Sequence, residues 1–401
     1  MPILCIPYQE SKLDVYLSDD WQVHECPIQG APGLTPEQLL TAFHSPQGTC
    51  RLRDLATGKG SAAVIVEDTT RPTPTHLIAP LVVEELVEAG IPEEAICFFS
   101  AIAAHRPQLG YEFCTKLGTA IVDRFRTYNH NFYDQLDFIG ISKLGTPIYL
   151  NSLVNRCDMK ITIGSVIPHT HAGFSGGAKS LMPGVCGAKT VTYHHSVRPR
   201  SSANSEEGGD YRADIEDIAD ICGLDFVADS VINEKCEIVG LYTGDLRLAH
   251  RAATRLARQV YQVKGPPVAD AAIVSAYPIE SDFIQASKGI LAGTGALSVK
   301  AGGPVLLIAS CPEGAGHHYI GSRGGYYENL HADALAESLA SRRLLVYSPN
   351  LRDKEVDYLM PPGTLLFRDL EEALDALGQL ASGNHLNVFP QGALAVVTPS
   401  Q

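Results

Sequence analysis

The chain has 401 residues, 45% of them hydrophobic and 19% charged, which describes an ordinary folded protein too long for a single core, so two domains are expected. Its formal net charge of −14, with 31 basic residues in no long run, argues against nucleic acid or an anionic membrane as partner. No basic–apolar–small signal pattern opens it, no apolar span of about 18 residues occurs, and the ten cysteines form no Cys-x-x-Cys pair; a cytoplasmic protein with reduced, buried thiols is expected.

Ile3–Pro7 and Asp14–Leu17 read as short strands, and Thr35 with Pro36 reads as the N-cap and first position of a helix. Ala62–Val66 is an apolar run of the buried-strand type, and a periodic helix covers about His76–Ala89. Between them lies Glu67-Asp68-Thr69-Thr70-Arg71-Pro72-Thr73-Pro74, stiffened by two prolines. Asp68 and Arg71 there are either an ion pair beside a helix cap or an anion clamp, with Arg71 forking onto a carboxylate or phosphate; the density of proline and threonine favours the clamp. A second strand, Ala95–Ser100, leads into Ala101–Pro107 and a helix near Gln108–Leu117. His105 thus sits just past a strand end, where an imidazole can move protons. Asp123–Pro147 carries no recognisable chemistry; Ile148–Leu150 and Met159–Ile163 read as strands.

Residues 164–196 are the densest stretch, with His169, His171, His194, His195, Lys179 and Lys189 around a glycine-rich turn. The apolar run Lys160–Val166 leads in and Pro168 ends it, which puts His169 where a strand becomes a loop, the usual place for chemistry in open α/β sheets. Small residues in Gly173–Ser180 let backbone N–H groups approach an anion, and a helix start after them would add its dipole. Ala178 precedes Lys179, so this is not a Walker A loop; the plainer alternative is a tight turn with a solvated lysine.

Arg198–Arg212 reads as an exposed loop, Asp214–Gly223 as an amphipathic helix, Phe226–Ile232 with Glu237–Tyr242 as a hairpin-like pair, and Leu246–Val263 as a long helix. Lys264-Gly265-Pro266-Pro267 is the best linker. Beyond it Ala271–Ser275, Leu297–Lys300, Val305–Ala309 and Leu344–Tyr347 continue an alternation of strands and helices, and Ser310–Gly316 is a further strand-end loop. Gln285 and Lys288 are three apart and share a face on a helix. Leu394–Val397 is a strand expected to cross back to the first domain. The expected division is 1–265, completed by 386–401, and 270–385.

These loops together resemble the nickel-dependent lactate racemase family. The resemblance is carried by Asp68-Thr69-Thr70-Arg71-Pro72-Thr73-Pro74, His105-Arg106, Pro168-His169 through Gly184, His195-Ser196 and Gln285-Ala286-Ser287-Lys288. It implies two Rossmann-like α/β domains with mixed and parallel sheets and an active site in the cleft between them. It also implies a nickel pincer nucleotide, a pyridinium-3-thioamide-5-thiocarboxylic acid mononucleotide holding Ni(II), with the enzymes that make it needed for maturation. By the same resemblance Lys179 would bind the cofactor covalently and His195 would ligate nickel. Ser175, Gly176 and Gly177 would suit its phosphate, and Asp68 and Thr70 would support the cofactor site, Asp68 also orienting Arg71. His105 and His169 would transfer protons, and Arg71, Gln285 and Lys288 would hold substrate. The implied reaction racemises a 2-hydroxy acid by reversible hydride transfer, one histidine taking the hydroxyl proton and the other returning it. Two positions depart from the lactate-specific pattern. Ile284 precedes Gln285 where an aromatic hydroxyl is expected, and Trp21, the one tryptophan, falls in the first domain rather than beside the substrate. A substrate bulkier than lactate is expected, and His317, His318, Arg323 and Tyr326 either meet its extra groups or are surface residues.

Two other readings compete. A zinc hydrolase would use His169 and His171, with His194 or His195 as third ligand, although Pro168 breaks the strand that would align the pair. A non-enzymatic metal- or nucleotide-binding protein would leave three separate loops bearing His, Arg and Lys without a role.

Overall fold

The computed structural model describes residues 3–169, 171–197, 209–291, 298–319, 335–337 and 339–398. The chain divides into a terminal unit, Met1–Gly30 with Gln259–Gln401, and a central unit, Ala31–Arg258. It opens in the terminal unit with the hairpin β1 (Ile3–Tyr8) and β2 (Ser11–Tyr16), then β3 (Gln22–Glu25).

In the central unit, α1 (Pro36–Phe43) starts where its sequence dictates. Thr35 accepts from the Gln38 amide and the Gln38 side chain returns the bond, a closed capping box. There follow β4 (Ala62–Glu67), α2 (Thr75–Glu88), β5 (Ile96–Ala101), α3 (Gly110–Leu117), β6 (Arg126–Asn129), and the hairpin β7 (Leu136–Ile141) with β8 (Pro147–Asn151). Then come β9 (Met159–Ser165), the short pair β10 (Pro168–His169) and β11 (Gly173–Phe174), α4 (Ala188–Val197), α5 (Gly209–Ile221), β12 (Phe226–Ile232), β13 (Ile238–Gly244) and α6 (Leu248–Val260). The main sheet has the order β13-β12-β9-β4-β5-β6, parallel except for β13. Every residue of β4 and β9 is buried, as expected of parallel strands covered on both faces. Val64, Val66 and Ile161 pack with Ile78, Val82 and Leu86 of α2 in one apolar core. The chain fills the sheet outward from β4 on one side and from β9 on the other, so β4 and β9 flank the switch point where α/β sheets form their crevices.

The terminal unit resumes with β14 (Gln262–Lys264), β15 (Ala271–Ser275), α7 (Phe283–Ala286), β16 (Pro304–Ile308), β17 (Arg343–Tyr347), β18 (Leu365–Phe367), α8 (Leu370–Leu380), β19 (His385–Phe389) and β20 (Val396–Thr398). Its sheet, β18-β17-β16-β15-β19-β3, is parallel throughout. Among the described residues no helix is long and apolar enough to cross a membrane.

The domain division differs from that expected at both chain ends. Residues 1–30 join the terminal unit because β3 pairs with β19, and 386–401 stay there because β19 lies between β15 and β3. The helix expected over Leu246–Val263 stops at Val260, since 262–264 pair in parallel with β20 rather than continue it. The same pairing keeps the C-terminal strand from crossing to the central unit. The expected linker at Lys264–Pro267 lies inside the terminal unit, with the Gly265 amide donating to Thr398 O. Val299 makes a single bridge to Ala269 rather than a strand, and Leu297 is outside the described residues. Of the loop expected over Arg198–Arg212, residues 198–208 are outside the described residues. Tyr211 and Arg212 instead lie in α5 and are buried.

Candidate active site

Strand β4 ends in two carboxylates that are both buried. Glu67 is held by the Thr73 hydroxyl and accepts from the Ser165 amide (2.9 Å) at the end of neighbouring β9. Asp68 turns the other way. Its Oδ1 accepts from Thr70 N at 3.0 Å, and Oδ2 lies 2.6 Å from His105 Nδ1, brought in by the turn after β5. Burial opposes ionisation of Asp68 most strongly, yet His105, then Arg71 and Thr70, outweigh it and hold the carboxyl well below its ordinary range. An ionised Asp68 makes His105 the Nδ1–H tautomer and leaves Nε2 as the accepting nitrogen. Arg71 donates through Nη1 to Thr70 O (3.1 Å) and Thr70 Oγ1 (3.0 Å), which fixes one edge of the guanidinium. Below it, Lys116 of α3 is buried and donates to Arg71 O at 2.7 Å. Burial pushes that amine down to about 8, against the pull of Glu67 and Asp68. The clamp expected from the proline-rich loop is therefore a braced one, with Asp68 committed to His105 and the guanidinium tied to Thr70.

Across the switch point, the loop after β9 folds back on itself. His169 pairs with Gly173 in the β10–β11 ladder, where Gly173 has φ +71°. The hairpin aims the His171 and Ala172 amides at His169 Nδ1, at 3.2 and 3.3 Å. His169 Nε2 lies 3.1 Å from Lys179 Nζ. Lys179 shares one open cavity with Asp68, Thr70, Arg71, His105 and Ser175. Residues from three strand-end loops therefore converge, as their positions in the sequence led one to expect.

The glycine turn departs from expectation. Lys179 sits on a four-residue 3-10 turn, Gly177–Ser180, and not at the start of a long helix. Gly176 and Gly177 have φ of +80° and +58°, which explains why both are glycine. The Gly177 amide and the Gly176 carbonyl face inward. The Gly177 amide donates to Asp229 Oδ1 at 2.6 Å, and Gly176 O accepts from Arg212 Nη1 at 3.2 Å. The Ser175 hydroxyl accepts from Ile167 N (3.0 Å) and donates to Ser165 O, while Ser175 O accepts from His250 Nε2 at 2.9 Å. The reading of Ser175, Gly176 and Gly177 as a phosphate cradle is corrected on this geometry: a buried carboxylate of the chain itself takes the Gly177 amide. Asp229 Oδ2 is buried with no hydrogen-bond partner among the described residues. Burial pushes this carboxyl up to about 7, although the Gly177 amide and Arg212 favour its charge. His250 is kept well below its ordinary value, by burial first and Arg212 second.

His195 lies on α4, beside α5. Its Nδ1–H donates to Val191 O at 2.8 Å, so Nε2 carries the lone pair, and the Tyr211 hydroxyl donates to it at 2.7 Å. Tyr211 is fully buried, its ring stacked on His171 (5.6 Å, 26°) and set edge-on to His194. His194 is fully buried too, and its Nε2 donates to Tyr211 O at 3.1 Å. Among the described residues no group of three or more His, Cys, Asp or Glu is placed to hold a metal ion by itself. Both ring nitrogens of His169 are taken, Nδ1 by the two amides and Nε2 by Lys179, which weighs against the zinc hydrolase.

Gln285 and Lys288 belong to the terminal unit. Asp282 caps α7 through the Gln285 amide, and Lys288 Nζ donates to Gln285 Oε1, so the two do share a face. Ile284 is buried in an apolar cluster with Phe283 and Ile290. Trp21 is in this same unit, not the central one, but it packs in the other core beside Leu377 of α8, and that core lies on the opposite face of the sheet. His317 is described; Arg323 and Tyr326 lie outside the described residues.

Sequence reasoning missed five contributors: Glu67, Lys116, Tyr211, Arg212 and Asp229. Two left a signal. Lys116 interrupts the apolar face formed by Phe113 and Leu117, and Asp229 is the one charged residue in the buried run Phe226–Ile232. Tyr211 and Arg212 looked like part of a polar loop.

A family model described as the lactate racemase N-terminal domain matches residues 8–208. The chain is 27% identical to the lactate racemase of Thermoanaerobacterium thermosaccharolyticum over 98% of each protein. It is 27% identical to that of Lactiplantibacillus plantarum over 82% of this chain and 78% of the relative. The structure of the T. thermosaccharolyticum lactate racemase apoprotein superposes with a TM-score of 0.79 at 25% identity, covering 99% of this chain and 100% of that one. A Thermotoga maritima protein, 20% identical, shares the fold with a TM-score of 0.66 over 92% of this chain and 99% of its own.

Proposed function

The chain belongs to the lactate racemase family, and on that premise we propose that it racemises or epimerises a 2-hydroxy acid with a nickel pincer nucleotide bound at Lys179. The observation that carries this reading is the meeting of an Asp68–His105 couple, a braced Arg71 and Lys179 around one cavity at the switch point, with His169 against the Lys179 amine. The residues present fit the cofactor at two places. Lys179 offers an amine for attachment, and His195 has the tautomer of a metal ligand, with Nε2 as acceptor once the Tyr211 hydroxyl gives way. One imidazole suffices only if the cofactor brings its own donors, and soft sulfur with imidazole suits nickel. The Ser175–Gly177 turn does not fit the phosphate, since Asp229 holds the Gly177 amide and the Ser175 hydroxyl is spent on Ser165 O.

When bound, the cofactor would supply a reversible acceptor for the hydrogen on the substrate Cα. The protein's residues would do the rest. Arg71 would take the carboxylate as a fork and fix the reacting centre. His105, an acceptor at Nε2 with Asp68 behind it, would receive the hydroxyl proton on one face. His169, a donor at Nε2, would return a proton on the other. The two imidazoles thus rest in complementary states, as an inversion that gives up one proton and takes another requires. Substrate contacts at Gln285 and Lys288 are proposed on the family resemblance. Ile284 cannot donate a hydrogen bond, which supports a substrate bulkier than lactate.

The test is intact mass with metal analysis on protein made alongside the cofactor-producing enzymes. Expected are one nickel and a covalent mass increase that maps to the peptide containing Lys179. Zinc without an adduct, or an adduct on Lys189, would contradict the assignment.

A further inference from the structure

The hydrogen bonds at His169 settle which proton lies between it and Lys179. Two backbone N–H groups, of His171 and Ala172, converge on Nδ1. A nitrogen facing two donors must accept, so the neutral imidazole carries its single proton on Nε2. That proton points at Lys179 Nζ, 3.1 Å away. An ammonium offers only donors and would oppose it. The other arrangement, ammonium donating to Nε2, would move the imidazole proton to Nδ1 and press it against two amide hydrogens. We propose that His169 holds Lys179 as a neutral amine, making it a nucleophilic lysine near neutral pH before any cofactor arrives.

The surrounding charges permit this. Glu67 and Asp68 at the end of β4 face two cations, Arg71 from the same loop and Lys116 from α3, and each carboxylate also has its own donors. His105 shares the cavity and is committed to Asp68. Beneath the turn, Arg212 of α5 is paired with Glu216 of the same helix at 3.3 Å, Asp229 of β12 takes the Gly177 amide, and His250 of α6 is neutral. The pocket balances without an ammonium at Lys179. His169 is here a positioning residue for the amine, and the inference concerns the amine itself, so it stands or falls apart from the racemase reading.

The test is competitive acylation of the full-length apoprotein with a limiting amine-selective ester, read by peptide mass spectrometry between about pH 6 and pH 10. An ordinary lysine titrates near about 10.4, so its rate rises about tenfold per pH unit across most of this range. Lys235, which is exposed, is the internal reference. Lys179 is expected to change less than about threefold between about pH 7 and pH 9, while Lys235 rises about a hundredfold. His169→Ala is expected to restore the steep rise at Lys179, and His169→Gln, which keeps a non-titrating N–H donor, to suppress it again. A tenfold-per-unit slope at Lys179 in the unaltered protein would overturn the proposal. So would the absence of acylation there at every pH, since a neutral amine in an open cavity must react.

Discussion

Asp68 and Asp229 are both buried acids, and their surroundings send them opposite ways. Asp68 has the neighbouring His105 and Arg71, and its folded value lies below its unfolded one. Its stabilising contribution is therefore complete above the ordinary value of about 4 and is lost only as pH falls below that. It stays charged throughout the neutral range, which keeps His105 in one tautomer. Among the described residues Asp229 has a single amide donor and an unpartnered oxygen, and burial raises it to about 7. A raised acid costs nothing below its unfolded value; the cost grows as pH climbs from about 4 through about 7. Asp229→Asn keeps an acceptor for the Gly177 amide and removes that cost. The melting temperature of this variant relative to the unaltered protein should thus be more favourable at about pH 8 than at about pH 5. A difference that does not move between those pH values would mean that Asp229 titrates in the folded protein as it does in the unfolded chain.

At the scale of elements, the turn that presents Lys179 is defined by what its glycines exclude. A side chain at Gly184 would place its Cβ 1.9 Å from Ser180 O and 2.7 Å from Ala101 Cβ. Backbone oxygen cannot yield as a flexible side chain can, so Gly184→Ala should destabilise by at least the roughly 1–3 kcal/mol of ordinary overpacking, measured by denaturant unfolding. A variant as stable as the parent would show that this turn is loosely packed. The strands of the central sheet were legible because parallel strands buried on both faces leave unbroken apolar runs, as in Ala62–Val66. The helix at Thr35 was legible from its cap. Asp68, Arg71, His105, His169 and Lys179 were legible as strand-end residues, because loops after parallel strands gather at one edge. What lies under those loops was not. Arg212 and Asp229 meet Gly176 and Gly177 only through packing of α5 and β12 against the turn, and a pattern of small residues reads the same whether its amides face an anion or the chain's own carboxylate. The units were misjudged for a related reason: the pairing of β3 with β19 joins the two ends of the chain, and no local pattern records it.

For the whole molecule, the sheet order puts the loops after β4 and β9 side by side, and the proposed function sets a 2-hydroxy acid at that edge. A net charge of −14 does not attract an anionic substrate, so under the proposed function recognition falls to local cations, Arg71 first, which Lys116 braces from behind through Arg71 O. The central claim is that the Cα hydrogen moves as hydride, with His105 and His169 handling only the hydroxyl proton. It is tested most directly by giving the nickel-loaded enzyme Cα-deuterated 2-hydroxy acids, lactate and longer ones, in ordinary water, and following inversion and deuterium content together by mass spectrometry and chiral separation. The inverted product should keep its deuterium, and a longer substrate should turn over faster than lactate. Rapid loss of deuterium to solvent during inversion would mean that a base removes the Cα proton, and would contradict the roles given to both histidines and to the cofactor.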